Sequence, residues 1–298
     1  MKVLITGANG QLGKELIESK PQGIKLIALS KSELNLRDKK SCYEIIDNLK
    51  PDWIINCGAY TNVEKAESNY ELAYEVNALG PKYLSESLLK NGGKLLHLST
   101  DYVFNGKNNL PYAPNSEKSP LNIYGVTKSK GEDFIKDILF SSKSGIILRT
   151  SWLIGKEGQN FALKIMKLLK EKSELNVIND QIGSPTSTKT LSNVCWKTIQ
   201  LKKQGLDLPS ILHYTDSGIA SWYDLAVEIS KIVKRLNLLS SEAIIKPISS
   251  SKYKTIARRP NYSVLDCFSS KLALSLKDIH WRDSIEELIK EINIRSIY

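Results

Sequence analysis

Lys2-Val3-Leu4-Ile5-Thr6-Gly7-Ala8-Asn9-Gly10-Gln11-Leu12-Gly13 is the stretch on which the fold turns. A short apolar run ends at a glycine; helical spacing then runs from Gln11 to about Ser19, and a second apolar run from Ile24 to Leu29. This is a β-α-β unit. Its turn reads G-x-x-G-x-x-G, where a glycine permits the tight bend and backbone amides at the helix N-terminus can hold a pyrophosphate. Glycine spacing alone is weak evidence, but the strand–turn–helix context favours a nucleotide cofactor over an ordinary turn. Gly7, Asn9, Gly10, Gln11 and Leu12 are its candidate contacts.

Downstream, the alternation continues. Trp53–Asn56 reads as a third buried strand, about 70 to 90 as a long helix, and Lys94–Ser99 as a fourth strand. Helical spacing follows from Ile123 to about Phe140, then a strand at Gly145–Arg149. Strands spaced by helices imply an α/β protein with a parallel, doubly wound sheet that binds ligands at the strands' carboxyl ends. Residues 1–152 are expected to form this dinucleotide-binding domain, with segments near 182–222 returning to it. Beyond Trp152, helices are expected near 159–171, 188–203, 221–236 and 281–293. Residues 153–298 therefore read mainly as a smaller C-terminal substrate lobe.

Composition excludes several classes. No apolar run of the 298 residues approaches the roughly 20 needed to span a bilayer, and Met1-Lys2 leads into the first strand without a signal-peptide core, so a cytoplasmic location is expected. The formal net charge of +10 is spread as isolated lysines and pairs such as Lys39-Lys40 and Lys202-Lys203. Such scatter suits steering of anionic small molecules better than nucleic-acid binding. Cys42, Cys57, Cys195 and Cys267 lie far apart, which indicates neither a zinc site nor a disulfide framework.

Tyr124-x3-Lys128 carries the candidate chemistry. Chance supplies roughly 1.5 such pairs in a chain of this composition, so context decides its weight. Four residues apart on a helix, the two side chains share a face. A fixed ammonium there would favour the phenolate and bring the Tyr124 pKa toward operating pH, making it a general acid. Thr100, in Ser99-Thr100-Asp101 after the fourth strand, can donate a hydrogen bond to a carbonyl oxygen as negative charge develops on it. The second strand ends Leu29-Ser30-Lys31, with no acid at its tip to hold a ribose 2′-hydroxyl. That leans toward NADPH, with NADH as the alternative.

At this point the chain resembles the extended short-chain dehydrogenase/reductases, and within them the dTDP-4-dehydrorhamnose reductases. The resemblance rests on Gly7-x-x-Gly10-x-x-Gly13, Asn56-Cys-Gly-Ala-Tyr60-Thr61, Ser99-Thr100-Asp101-Tyr102-Val103-Phe104, Pro120-Leu-Asn-x-Tyr124-Gly125-x-x-Lys128, Arg149-Thr-Ser-Trp152, Asp180-Gln181-x-Gly183-x-Pro185-Thr186 and Arg259-Pro260. They run in order over about residues 2 to 293. The resemblance implies a Rossmann domain and hydride transfer from NADPH to the C4 ketone of dTDP-4-dehydro-L-rhamnose. It implies that Tyr124 protonates the resulting oxygen, Lys128 positions the nicotinamide ribose and Thr100 bonds the reacting oxygen. Leu36, Asp38, Cys57, Gly58, Ala59, Tyr60 and Ser99 would line the cofactor with Ser30 and Lys31. Asp101, Tyr102, Trp152 and Arg259 would meet the substrate, Arg259 at its diphosphate.

Three departures accompany the resemblance. Leu34-Asn35-Leu36-Arg37-Asp38 replaces the family's usual Leu-Asp-[Ile/Val]-Thr-Asp, so an acidic contact near the adenine falls to Asp38 or is lost. Lys189 stands where some members carry a glutamate that binds magnesium between subunits, so no metal is expected, and a monomer or weak homodimer is. The segment between Lys128 and Arg149 is slightly long, which predicts a surface loop at 141–144. Other readings share these motifs: another nucleotide-sugar 4-ketoreductase, an epimerase, or a non-catalytic regulator resembling the methionine adenosyltransferase beta subunit. A dehydratase is disfavoured, since Asp101 is followed by Tyr102 where those enzymes carry Asp-Glu.

Overall fold

In the computed structural model, residues 1–238 and 243–292 are described. Strands β1 (Lys2–Thr6), β2 (Lys25–Leu29), β3 (Trp53–Asn56), β4 (Lys94–Thr100), β5 (Gly145–Thr150) and β6 (Ile211–His213) form one sheet. Its order is β6-β5-β4-β3-β1-β2, and every pairing is parallel. Parallel strands covered on both faces must be apolar on both sides, which explains their unbroken Val/Ile/Leu runs. Val3, Ile5, Ile55, Leu96, Ile146 and Leu148 pack one face against Leu12 and Leu16 of helix Gln11–Glu18 and Leu191, Val194 and Cys195 of helix Thr188–Lys203. Leu4, Ile54, Leu95 and Ile147 face the other way, onto Ile46 of helix Lys39–Leu49, Leu84 and Leu88 of Gly80–Asn91, and Ile135 and Leu139 of Ile123–Leu139.

The chain leaves β1 for β2 on one side and returns to β3 on the other. That reversal opens a crevice at the carboxyl ends of β1 and β3, where doubly wound sheets bind ligands. A second core joins helices Phe161–Glu171, Trp222–Arg235 and Trp281–Glu291 around Ile165, Leu225, Ile229, Trp281 and Ile285. A parallel strand pair, Glu174–Ile178 with Ile244–Ile248, flanks it. Residue 293, the expected end of the last helix, lies outside the described residues. Among the described residues no helix is long and apolar enough to cross a membrane.

The helix expected over about 70 to 90 is not continuous. Tyr70–Tyr74 is followed by a π-helical turn, Glu75–Leu79, before Gly80–Asn91 resumes the α-helix. Pro81 provides the reason: it has no N–H to give, and its ring would clash with the Asn77 carbonyl four residues back. That carbonyl lies instead against helix Ile123–Leu139, at a glycine. A Cβ built on Gly131 would stand 2.2 Å from the Asn77 oxygen, and one on Gly125 2.2 Å from the Tyr102 oxygen. Both glycines thus let this helix approach neighbouring backbone. Gly131→Ala should destabilise the fold by about 1–3 kcal/mol through overpacking, read from chemical denaturation; a loss under about 0.5 kcal/mol would show that the helix can retreat freely.

Candidate active site

The turn after β1 is shaped by contacts that only glycine permits. Gly7 has φ +67°, and a Cβ there would lie 2.8 Å from both the N and Cα of Gly58. On Gly13 a Cβ would lie 2.3 Å from the Gly7 oxygen. The Gly10 N–H donates to that oxygen at 2.9 Å, and Gly10 is the N-cap of helix Gln11–Glu18. The helix N-terminus therefore faces the crevice with small residues before it. Leu12 points into the core. Gln11 Oε1 accepts from Gly155 N at 3.0 Å and Asn160 Nδ2 at 2.8 Å, tying the turn to the segment before helix Phe161–Glu171. For these two, the backbone is what the crevice receives.

At the β2 tip the expectation of no acid is corrected. Glu33 folds back so that its Oε2 accepts from Ser30 N at 2.8 Å and Ser30 Oγ at 2.6 Å, which holds its carboxyl below the ordinary glutamate range. The spacing Ser30-x-x-Glu33 is that of a capping box, and this signal marks a carboxylate that a search of the strand's last residues misses. Lys31 is exposed beside it. Asp38 caps helix Lys39–Leu49, accepting from Ser41 N at 3.1 Å, and Leu36 is buried beneath Gly58.

The segment after β3 is held from behind by Asn77. Its Oδ1 accepts from Tyr60 N at 2.8 Å, and its Nδ2 donates to Tyr60 O at 3.1 Å and Thr127 Oγ1 at 3.2 Å. The π-helical turn thus aims one amide at both Cys57–Tyr60 and the helix carrying Tyr124 and Lys128. Nothing in its local sequence marks Asn77 for this role.

Thr100, Asp101, Tyr102, Tyr124 and Lys128 converge at the carboxyl end of β4. Asn122 caps helix Ile123–Leu139 by accepting from Gly125 N at 2.8 Å, and the Tyr124 ring meets Tyr102 edge-on at 5.9 Å between centroids. Burial pushes the Tyr124 phenol up to about 12, against a hydrogen bond with the Thr100 hydroxyl. This corrects the expected direction: burial holds the phenol protonated and outweighs any pull toward the phenolate. Lys128 is 2 % exposed; its Nζ donates to Leu98 O at 2.5 Å and lies 3.0 Å from His97 Nε2. Desolvation lowers it to about 8, opposed by Glu132 and Cys57. Asp101, also buried, is raised to about 7 by desolvation, against hydrogen bonds from Ser263 and from Thr100, whose Oγ1 donates to its Oδ1 at 3.0 Å. The Ser99 hydroxyl instead donates to Glu132 Oε1 at 2.6 Å, and the Glu132 carboxylate is gripped by Arg149 at 2.7 Å.

On the substrate side, Arg259 pairs with Glu64 at 2.6 Å, and its charge offsets part of the rise that burial imposes on the Tyr102 phenol. It stands beside the Tyr102–Tyr124 pair with its guanidinium partly engaged. Trp152, at φ +44°, stacks on Trp222 at 3.5 Å and lies against Gly183. Its ring partners are protein. Lys189 bridges Glu287 at 2.8 Å and Glu291 at 2.7 Å. After helix Ile123–Leu139, residues 141–143 form a turn before β5.

A family model described as the RmlD substrate binding domain matches residues 1–294. The chain belongs to the dTDP-4-dehydrorhamnose reductase family. That family lies within the extended short-chain dehydrogenase/reductases and places the chain among oxidoreductases. The chain is 37 % identical over 291 residues to the spore coat polysaccharide biosynthesis protein SpsK of Bacillus subtilis, covering 97 % of each. With the dTDP-4-dehydrorhamnose reductase of Aggregatibacter actinomycetemcomitans it shares 35 % over 290 residues, 96 % of this chain and 98 % of that protein. The crystal structure of the Bacillus anthracis reductase in complex with NADP superposes with a TM-score of 0.89 at 33 % identity, over 97 % of this chain and 99 % of that one.

Through its bonds to Ser30, Glu33 brings a carboxylate to the β2 tip, two residues from Lys31. Glu33→Gln should strengthen NADPH over NADH by roughly three- to tenfold, since a carboxylate repels a 2′-phosphate; fluorescence titration of both cofactors reads this, and an unchanged ratio places Glu33 away from the 2′ position.

Proposed function

We propose that this protein reduces the C4 ketone of dTDP-4-dehydro-L-rhamnose to dTDP-L-rhamnose with NADPH, in the cytoplasm, for cell-surface polysaccharide synthesis. The observation that carries this is the meeting of a protonated Tyr124 phenol, the Thr100 hydroxyl and the buried Lys128 at the carboxyl end of β4, beside the β1–β3 crevice. Residues 1–152, with the returning helix Thr188–Lys203 and β6, hold the cofactor; residues 153–298 mainly contribute substrate contacts. The turn at Gly7–Gly13 fits a dinucleotide, because Gly7 and Gly13 pack on backbone too closely for any Cβ, which keeps the turn tight before the N-terminus of helix Gln11–Glu18. Gly7, Gly10 and the amides of Gln11 and Leu12 would hold the diphosphate, Ser30 and Lys31 the adenosine end, and Cys57–Tyr60 the middle.

When bound, the nicotinamide supplies a hydride to the carbonyl carbon. Tyr124 then gives its phenolic proton to the oxygen, where negative charge is developing, while Thr100 bonds the same oxygen. A phenol pushed up to about 12 is fully protonated at neutral pH, so the acid stands ready without prior titration. Lys128 would bond the nicotinamide ribose, and its positive charge would stabilise the Tyr124 phenolate left after transfer. Arg259, beside Tyr102, reaches the substrate's diphosphate.

Incubating the protein with NADPH and dTDP-4-dehydro-L-rhamnose should give dTDP-L-rhamnose, identified by NMR of the product. Cofactor consumption only with a different 4-keto sugar would assign another nucleotide-sugar ketoreductase, and none with any would leave a binding module. Tyr124→Phe should bind NADPH normally while kcat falls by about 10²–10⁴; turnover near wild type excludes Tyr124 as the acid. Because Lys128 is charged below about 8 and neutral above it, kcat/KM should decline as pH rises through that value; a flat profile from pH 7 to 9.5 would show the charge to be dispensable.

A further inference from the structure

One buried polar chain is not used by the steps above. Gly58 N–H donates to Thr6 Oγ1 at 3.2 Å, and Thr6 Oγ1 donates to Asn56 Oδ1 at 2.6 Å. Asn56 Nδ2 lies 2.9 Å from His97 Nδ1, and His97 Nε2 lies 3.0 Å from Lys128 Nζ. Thr6, Asn56 and His97 are all essentially inaccessible. These residues are neighbours because β1, β3 and β4 are adjacent and in register, Thr6 opposite Asn56 and Asn56 opposite His97.

The direction of these bonds follows from valence. A separation of 2.6 Å suits O–H···O and is short for N–H···O, so the Asn56 oxygen faces the Thr6 hydroxyl and its NH₂ faces the imidazole. His97 is neutral, held well below its ordinary value by burial and by the nearby Lys128 charge. A neutral imidazole has one N–H and one lone pair. With Nδ1 accepting from Asn56, the single proton sits on Nε2, pointing at Lys128 Nζ. An ammonium has only donors to offer in return; a neutral amine offers a lone pair.

We propose that His97 is a positioning residue of the reductase: its Nε2–H, fixed by Thr6 and Asn56, faces Lys128 and weakens that lysine's hold on its proton. The role of Lys128 in turnover rests on the function proposed above. Glu132 and Cys57 act in the opposite sense, the Leu98 carbonyl takes one N–H, and Tyr124 stands one turn before on the same helix. Lys128 is thereby set to exchange its proton near neutral pH rather than remain a permanent cation. The series begins at Gly58, which packs against Gly7, so the bonds that orient His97 start beside the glycine-rich turn.

The chain has three histidines, so ¹⁵N-histidine NMR of the wild-type protein can be assigned by single substitutions. His97 should show a protonated Nε2 and a bare Nδ1; the Nδ1–H tautomer overturns the proposal without any variant having to fold. In ¹³Cε-lysine spectra, assigned with Lys128→Arg, the Lys128 midpoint should rise by roughly 0.5–1 pH unit in His97→Leu. It should stay near wild type in His97→Gln, whose amide N–H can face the lysine. The alkaline limb of kcat/KM should move upward with it. A midpoint that is unchanged or lower in His97→Leu overturns the proposal. Absence of turnover would sink the assigned reaction instead, since both NMR readouts are independent of activity.

Discussion

A lysine buried to 2 % exposure sits at the meeting of sheet and helix, and much of the site is arranged around what that burial demands. Taking an ammonium out of water is costly unless its N–H groups find partners. The acid one helical turn further on does not bond it, because Glu132 is bound to Arg149 and Ser99. The Leu98 carbonyl takes one N–H of Lys128, while His97, oriented through Asn56 and Thr6, lies 3.0 Å from its Nζ and in the arrangement proposed above turns an N–H of its own toward it. Helix Ile123–Leu139 is thus linked to β4, β3 and β1 by one polar row, beside a second formed by Glu132 with Ser99 and Arg149.

Close backbone approach makes this anchoring possible. Gly125 and Gly131 allow helix Ile123–Leu139 to lie against the Tyr102 and Asn77 carbonyls, and Gly7 brings the cofactor turn against Gly58. Pro81 is coupled to the same arrangement, since the turn it forces presents Asn77 to Tyr60 and Thr127. Site geometry is set here less by the candidate side chains than by the glycines and the proline that bring their backbones together.

The charge balance differs from a simple cation-next-to-phenol picture. Tyr124 is pushed up by burial, Lys128 is pushed down by it, and Asp101 is pushed up to about 7. These shifts share one cause, desolvation at the floor of the crevice. The site therefore keeps a protonated acid, an exchangeable cation and a weakly held carboxyl proton within one pocket.

The β-α-β start, the parallel sheet and the order of the motifs are legible in the residues alone, because local periodicity and glycine spacing record which residues must be buried and where the chain must turn. The sequence also brought out Thr100, Tyr124 and Lys128, whose spacing on a strand end and one helix face is local. The sixth strand was too short to read, and helix Lys39–Leu49 buries too few apolar residues to stand out. Glu33 left a signal in its spacing from Ser30, whereas the contacts of Asn77 and His97 emerge only in the tertiary structure, because their partners are distant in sequence and hydrogen-bond polarity leaves no trace in residue spacing. Tertiary packing also decided the pKa directions at Tyr124 and Lys128, for desolvation depends on everything that surrounds a group and not on the residue four positions away.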